Sequence, residues 1–130
     1  MILLDTHVIW WLAYQPEKLS TAAADTIQNA HEMKEGIALS CASLYELVWL
    51  LERRRLIASE GWSEFLNALQ HKLKILPIDE NIAIEAARIQ SPFHGDPMDR
   101  LIVATALASN RTLVTADKAI LSSGRCQLLW

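Results

Sequence analysis

Met1-Ile2-Leu3-Leu4-Asp5-Thr6-His7-Val8-Ile9-Trp10-Trp11-Leu12 decides the fold. Ile2-Leu3-Leu4 is a short apolar run of strand type, and it stops at an acid. From Thr6 to Tyr14 the pattern becomes helical, with Val8, Ile9, Trp11 and Leu12 apolar, and Asp5 is a favoured cap for that helix. A strand that hands over to a helix through an acid is the first half of a βαβ unit.

The same hand-over recurs along the chain. Gln15 to Leu19 breaks the first helix, and Ser20 caps a second through Ala22–Ala24, Ile27 and Met33, closed by Gly36. Ile37-Ala38-Leu39-Ser40 reads as a strand, and Ser43 opens a helix carrying Leu44, Leu47, Val48, Leu50 and Leu51 up to Arg53-Arg54-Arg55. Gly61-Trp62-Ser63 introduces a helix to about Lys72, and Ile75-Leu76-Pro77-Ile78 reads as a strand. Asp79 caps a helix through Ile82, Ala86 and Ile89, and Pro92-Phe93-His94-Gly95 reads as a loop. Asp96-Pro97 starts the next helix, with Pro where no N–H is needed. Thr112 to Thr115 is a strand, Lys118 to Ser122 a short helix, and Cys126 to Trp130 a fifth strand. Strands and helices in alternation predict a three-layer α/β domain with a mostly parallel sheet of four to five strands. There is no repeat, linker or low-complexity segment, so residues 1–130 read as one domain.

Composition narrows the class. Hydrophobic residues make up 52% and charged ones 21%, which excludes a disordered chain. No apolar run reaches the ~18 residues of a membrane span, and the start lacks the basic region and cleavage site of a signal peptide. Cys41 and Cys126 are isolated, without metal-ligand spacing, and are expected to be buried thiols in a reducing, cytoplasmic setting. The net charge of −3 is awkward for a nucleic-acid binder. Five Trp residues point to a partner surface, either for another protein's segment or for a homodimer or higher oligomer. The expected groove combines Trp10, Trp11 and Tyr14 with the Leu47–Leu51 helix.

Asp5, Glu46, Asp99 and Asp117 each fall at a strand-to-helix junction or in a first helical turn. Parallel strands put such junctions on one rim, where an α/β fold builds a site. Each acid also has a local reading: Asp5 and Asp117 as caps, Glu46 as the third residue of a Ser43-x-x-Glu46 capping box, and Asp99 at the same position after Asp96. Capping leaves unexplained why Thr6 and Thr115 lie beside two of these acids. Asp79 caps a helix without such company and reads as structural. Converging carboxylates need a cation, and all-oxygen ligands suit Mg²⁺ or Mn²⁺. Such an ion polarises phosphate, activates water, and lets an acidic domain accept a polyanion.

The motifs resemble a known family. Leu3-Leu4-Asp5-Thr6-His7 followed by Trp10-Trp11 is similar to the opening of a bacterial branch of the PIN-domain family. Ser43-x-x-Glu46 resembles its second acidic motif, Asp96-Pro97-Met98-Asp99-Arg100 its third, and Thr115-Ala116-Asp117-Lys118 its fourth. The resemblance implies a PIN-like fold and a Mg²⁺- or Mn²⁺-dependent ribonuclease of the VapC toxin type, silenced by a cognate antitoxin. It carries over Asp5, Glu46, Asp99 and Asp117 as metal-binding and catalytic acids, with Thr115 as a supporting hydroxyl. Leu47 to Arg55 departs from the Lys-containing helix of close relatives, so the phosphate contacts are not assigned by the motifs.

Other residues have two readings each. Arg53-Arg54-Arg55 either grips RNA backbone or is a solvated helix end. His94 contacts substrate or is an ordinary loop histidine, and Arg100 anchors its helix through an ion pair. His31 and His71 belong to polar helix faces. Two further functions remain open: a catalytically silent PIN-like binding module, and a Mg²⁺-binding receiver-like phosphoacceptor with Asp79 as acceptor.

Overall fold

A computed structural model of the chain describes residues 1–89 and 95–130. Its centre is strand β1 (Ile2–Leu4), fully apolar and buried, paired in parallel on both sides. Helices α1 (Thr6–Tyr14) and α2 (Thr21–Glu32) lead to β2 (Ile37–Ser40). Helices α3 (Cys41–Glu52) and α4 (Trp62–Lys72) lead on to β3 (Lys74–Leu76). The chain then crosses back through α5 (Glu80–Arg88) and α6 (Pro97–Ser109) to β4 (Thr112–Val114), and α7 (Lys118–Ser123) precedes β5 (Leu128–Leu129). The five strands run in the order β3-β2-β1-β4-β5, and every pair is parallel.

That order creates a switch point. The chain leaves β1 towards β2 on one side, and arrives at β4 on the other. Loops after β1 and β4 therefore diverge, opening a crevice at the carboxyl ends of these two strands, where open α/β sheets bind ligands.

Alternation along the strands separates two cores. Ile2, Leu4, Leu39 and Val114 join Val8, Ile9, Trp10, Ile27, Leu47, Phe65 and Leu69 on the face covered by α1 to α4. Leu3, Ala38 and Leu113 join Ile82, Ala86, Ile102, Val103 and Ile120 on the face covered by α5 to α7. This is the expected three-layer architecture. Burying each large side chain contributes about 1.5–3 kcal/mol before the entropy of ordering is set against it.

Several boundaries differ from the sequence reading, for local reasons. Helix α3 starts at Cys41, because Ser40 is its cap and accepts the Ala42 N–H at 3.1 Å. Ser43 thus lies inside the first turn, and the capping box proposed for Ser43 and Glu46 is not formed. Helix α2 ends at Glu32, and the left-handed residue after it is Lys34 (φ 56°) rather than Gly36. Strand β3 stops before Pro77, which has no N–H to donate, and β5 is confined to two residues. Both cysteines are half-buried rather than buried, and burial pushes the Cys126 thiol up to about 11. His31 and His71 are exposed, as expected. The loop residues Pro92, Phe93 and His94 lie outside the described residues.

The expected aromatic face is also revised. Trp10 is buried, stacked against Tyr14 (ring centroids 4.4 Å apart) and edge-on to Phe65 at 5.5 Å. Trp11 turns to Trp130 at 5.6 Å, while Leu47 and Leu51 point into the core. The groove that does exist runs between α1 and α4. It is a cavity of about 410 Å³ lined by Ile9, Leu12, Tyr14, Phe65, Leu69 and Leu73 among others.

Candidate active site

Asp5 follows the central strand and sits in the crevice beside β4, only 5% exposed. Its Oδ1 accepts the Thr6 N–H at 2.7 Å, so it does cap α1. Its Oδ2 accepts the Thr115 hydroxyl at 2.7 Å, a bond between residues 110 apart in sequence. Burial pushes the Asp5 carboxyl above its ordinary value of 3.8. The two hydrogen bonds and His7 oppose that rise, and the Asp117 charge adds to it.

Thr115 links two acids. While its hydroxyl donates to Asp5, its Oγ1 accepts the Asp117 N–H at 3.0 Å. Asp117 caps α7 through the Ile120 N–H at 3.0 Å. The chain after β4 is thereby pinned to the chain after β1.

Glu46 lies in the second turn of α3, where no capping role is available. Its Oε1 accepts the Thr6 hydroxyl at 2.8 Å, which holds a half-buried carboxylate against the first residue of α1. Burial is the main cause raising its pKa; Thr6 opposes, Asp5 and Asp96 add to the rise, and His7 lowers it.

Asp99 does form the expected capping box. Asp96 Oδ1 accepts the Asp99 N–H at 2.9 Å, and Asp99 Oδ2 accepts the Asp96 N–H at 3.3 Å. Yet the box leaves Asp99 with a carboxyl pushed up to about 7, first by burial and then by the charges of Asp96, Asp5, Asp117 and Glu46. One side chain thus feels all three of the other predicted acids. Helix α6, which carries it, is keyed to β2 by a buried hydroxyl pair, Ser40 and Thr105, 3.1 Å apart. Arg100 donates to the backbone carbonyls of Ile89 and Gly95, anchoring the helix start through the main chain.

The four acids and Thr115 therefore share one rim. Among the described residues, however, no acid, histidine or cysteine side chains are grouped as a ready-made metal cage. The donor set still fits a hard cation. Each carboxylate is fixed through hydrogen bonds that leave lone pairs unused, and mutual repulsion is what a cation would relieve. Asp79 is a contrast: it is exposed, caps α5 through the Ile82 N–H at 2.9 Å, and is absent from the charges acting on Asp99 or Glu46.

Two residues of the motifs gain roles that the sequence did not assign. Thr6, noted only as the neighbour of Asp5, orients Glu46. Asp96, read as a cap, also adds its charge to the cluster. In the arginine run, the Arg53 and Arg55 guanidinia lie 4.2 and 5.2 Å from the Trp49 ring centroid. His94 lies outside the described residues.

Residues 2–123 match the family model of the PIN domain. The chain belongs to the PIN-domain family. Among its PIN-domain relatives is Ribonuclease VapC22 of Mycobacterium tuberculosis, 36% identical over 121 residues that span 93% of this chain and 90% of the relative. The same PIN fold is found in the structure of VapBC2 from Rickettsia felis bound to a promoter DNA fragment. That match has a TM-score of 0.76 and 19% identity, and covers 99% of this chain and 98% of the other. DNA-bound VapBC from Salmonella typhimurium is similar to the same degree, with a TM-score of 0.75, 19% identity and the same coverage. No helix among the described residues is long and apolar enough to cross a membrane.

Proposed function

We propose that this chain is an endoribonuclease toxin of the VapC type that hydrolyses RNA with Mg²⁺ or Mn²⁺ at the acidic rim and is neutralised by a cognate antitoxin. The observation that carries the reading is Asp99, whose carboxyl is raised to about 7 by burial and by Asp96, Asp5, Asp117 and Glu46. Such a cluster costs stability unless it serves a cation. The VapC22 relative, a ribonuclease by name, supports the reaction class, and VapBC neighbours support the antitoxin.

Asp5, Glu46, Asp99 and Asp117 are the residues that would hold the ion. When bound, a divalent cation neutralises these charges, polarises a phosphate oxygen and makes water a better nucleophile near neutral pH. Thr115 fixes Asp5 and Asp117 at a set separation, and Thr6 keeps Glu46 turned towards the rim. Burial and the neighbouring acids hold the Asp99 carboxyl up at about 7, and a bound cation would favour its charged form. The apolar groove between α1 and α4 suits an amphipathic helix from the antitoxin.

The phosphoacceptor alternative loses its acceptor, since Asp79 is remote in charge from the cluster. A silent scaffold has no use for the buried charge of Asp5. The deciding experiment incubates purified protein with single-stranded RNA in Mg²⁺, Mn²⁺ or EDTA. Cleavage with metal and none with EDTA is expected; cleavage undiminished in EDTA overturns the reading. Expression alone should arrest growth, and co-expression of the adjacent small gene should restore it and yield a co-purifying pair.

A further inference from the structure

Tyr45 and Trp49 lie one helical turn apart on α3, and the acidic site uses neither. Tyr45 is 57% exposed and Trp49 half-buried, and both stand outside the two cores. With His7, Glu46, Leu50 and Met98 they line a pocket of about 270 Å³. Two of those walls belong equally to the rim. His7 lines the neighbouring cleft with Asp5 and Asp117, and Glu46 takes the Thr6 hydroxyl. At the C-terminal end of α3, Arg53 and Arg55 bring their guanidinia over the Trp49 ring.

We infer that the pocket bounded by Tyr45, Trp49, His7 and Met98 is a nucleobase subsite for the RNA strand next to the acidic rim, with Arg53 and Arg55 pairing with a flanking phosphate. The inference rests on the ribonuclease reading and deepens it. Size supports it: drug-sized molecules take pockets of ~300–1,000 Å³, and this one suits a single planar ring system. Chemistry supports it too. An aromatic face accepts any base by stacking, while Leu50 and Met98 supply apolar contact. Electrostatics completes the case. The chain carries a net charge of −3 and its acidic rim repels a polyanion, so a strand needs cations on its approach. The two guanidinia supply them, and their stacking on Trp49 holds both the ring and the charges in place. A protein helix is better served by the larger, mostly apolar groove between α1 and α4.

The test uses the full-length protein and a short randomised single-stranded RNA pool in Mg²⁺. The cut position is mapped, and the selected RNA is then remade with an abasic nucleotide at each position flanking the cut. With wild type, one abasic position should raise KM about tenfold, in line with the ~1–3 kcal/mol of a base–aromatic stack, while kcat changes little. Trp49→Ala should raise KM for intact RNA to the same degree and show no further abasic penalty. Trp49→Phe should restore most of the loss. Arg53→Ala should lower the salt dependence of RNA binding by roughly one unit of slope. An abasic penalty equally large in wild type and Trp49→Ala overturns the subsite and leaves the ribonuclease reading intact. So does a Trp49→Ala protein with unchanged KM that has lost its antitoxin or its oligomeric state, which would make this face a protein interface. No cleavage of the pool by wild type in Mg²⁺ or Mn²⁺ overturns both.

Discussion

Asp5 and Asp79 begin alike and end differently. Each follows a parallel strand, each caps the next helix through a side-chain oxygen, and each is an aspartate. Asp5 follows β1, the middle strand, beside the point where the chain reverses its path across the sheet; Asp79 follows β3, at the edge. Asp5 is consequently buried, bonded to Thr115 across the sheet and coupled in charge to its neighbours, while Asp79 is exposed and only caps. Local sequence specifies a cap in both places. Strand order alone brings one of them into the acidic rim.

The most demanding way to break that comparison is to remove charge and keep shape. Asp5→Asn and Asp99→Asn should lower RNA cleavage by more than the ~10–100-fold typical of losing a group that orients a metal ligand, and Thr115→Val should fall within that range. Asp79→Asn should cleave at the wild-type rate. Equal loss in Asp79→Asn and Asp5→Asn, measured on one RNA under one Mg²⁺ concentration, would abolish the distinction.

Metal should sharpen it next. At a hundredfold excess over Kd, Mg²⁺ should stabilise the folded protein by about 2.7 kcal/mol, read as a rise in melting temperature that Asp99→Asn abolishes and Asp79→Asn retains. Without metal, pH should show the cost of the cluster. The folded Asp99 value lies above the ordinary 3.8, so its proton stabilises the folded state fully below 3.8 and that contribution is lost as pH rises towards about 7. Melting temperature in EDTA should therefore decline across that window, and Mg²⁺ should flatten the decline.

The smallest effect tests the cap itself. Asp79→Ala should cost about 0.5–2 kcal/mol of stability with activity intact. Asp5→Asn in EDTA should melt at or above wild type. The amide oxygen still accepts the Thr6 N–H, its nitrogen can donate to Thr115 Oγ1, and the buried charge is gone. A destabilised Asp5→Asn protein would mean that the cap outweighs the charge.

Much of this was legible in the chain. Ile2-Leu3-Leu4, Ile37 to Ser40 and Thr112 to Thr115 read as strands because a doubly covered parallel sheet needs continuous apolar runs. Asp5, Asp99 and Asp117 were legible because acids at helix starts are conspicuous. Glu46 was legible as one of the converging acids, but its helical position was misread: the cap is Ser40, whose hydroxyl accepts the Ala42 N–H and pairs with Thr105, so Glu46 falls in the second turn and not the first. Strand order, the Thr6–Glu46 bond and the Ser40–Thr105 key were not legible, since each joins segments that sequence proximity does not connect. The aromatic face on α1 misled because Phe65 and Trp130, far away in the chain, fold over it.

The hydrogen bond between Thr115 and Asp5 also sets a schedule. Synthesis proceeds from the N-terminus, and Asp5 emerges early, but the hydroxyl that fixes it belongs to a strand made 110 residues later. Until β4 has left the ribosome and seated beside β1, the central strand lacks one neighbour and the rim lacks Thr115 and Asp117. On the proposed function, a nascent chain would lack a complete site until β4 has folded against β1. The cell has that interval in which to make a partner ready before the site is complete.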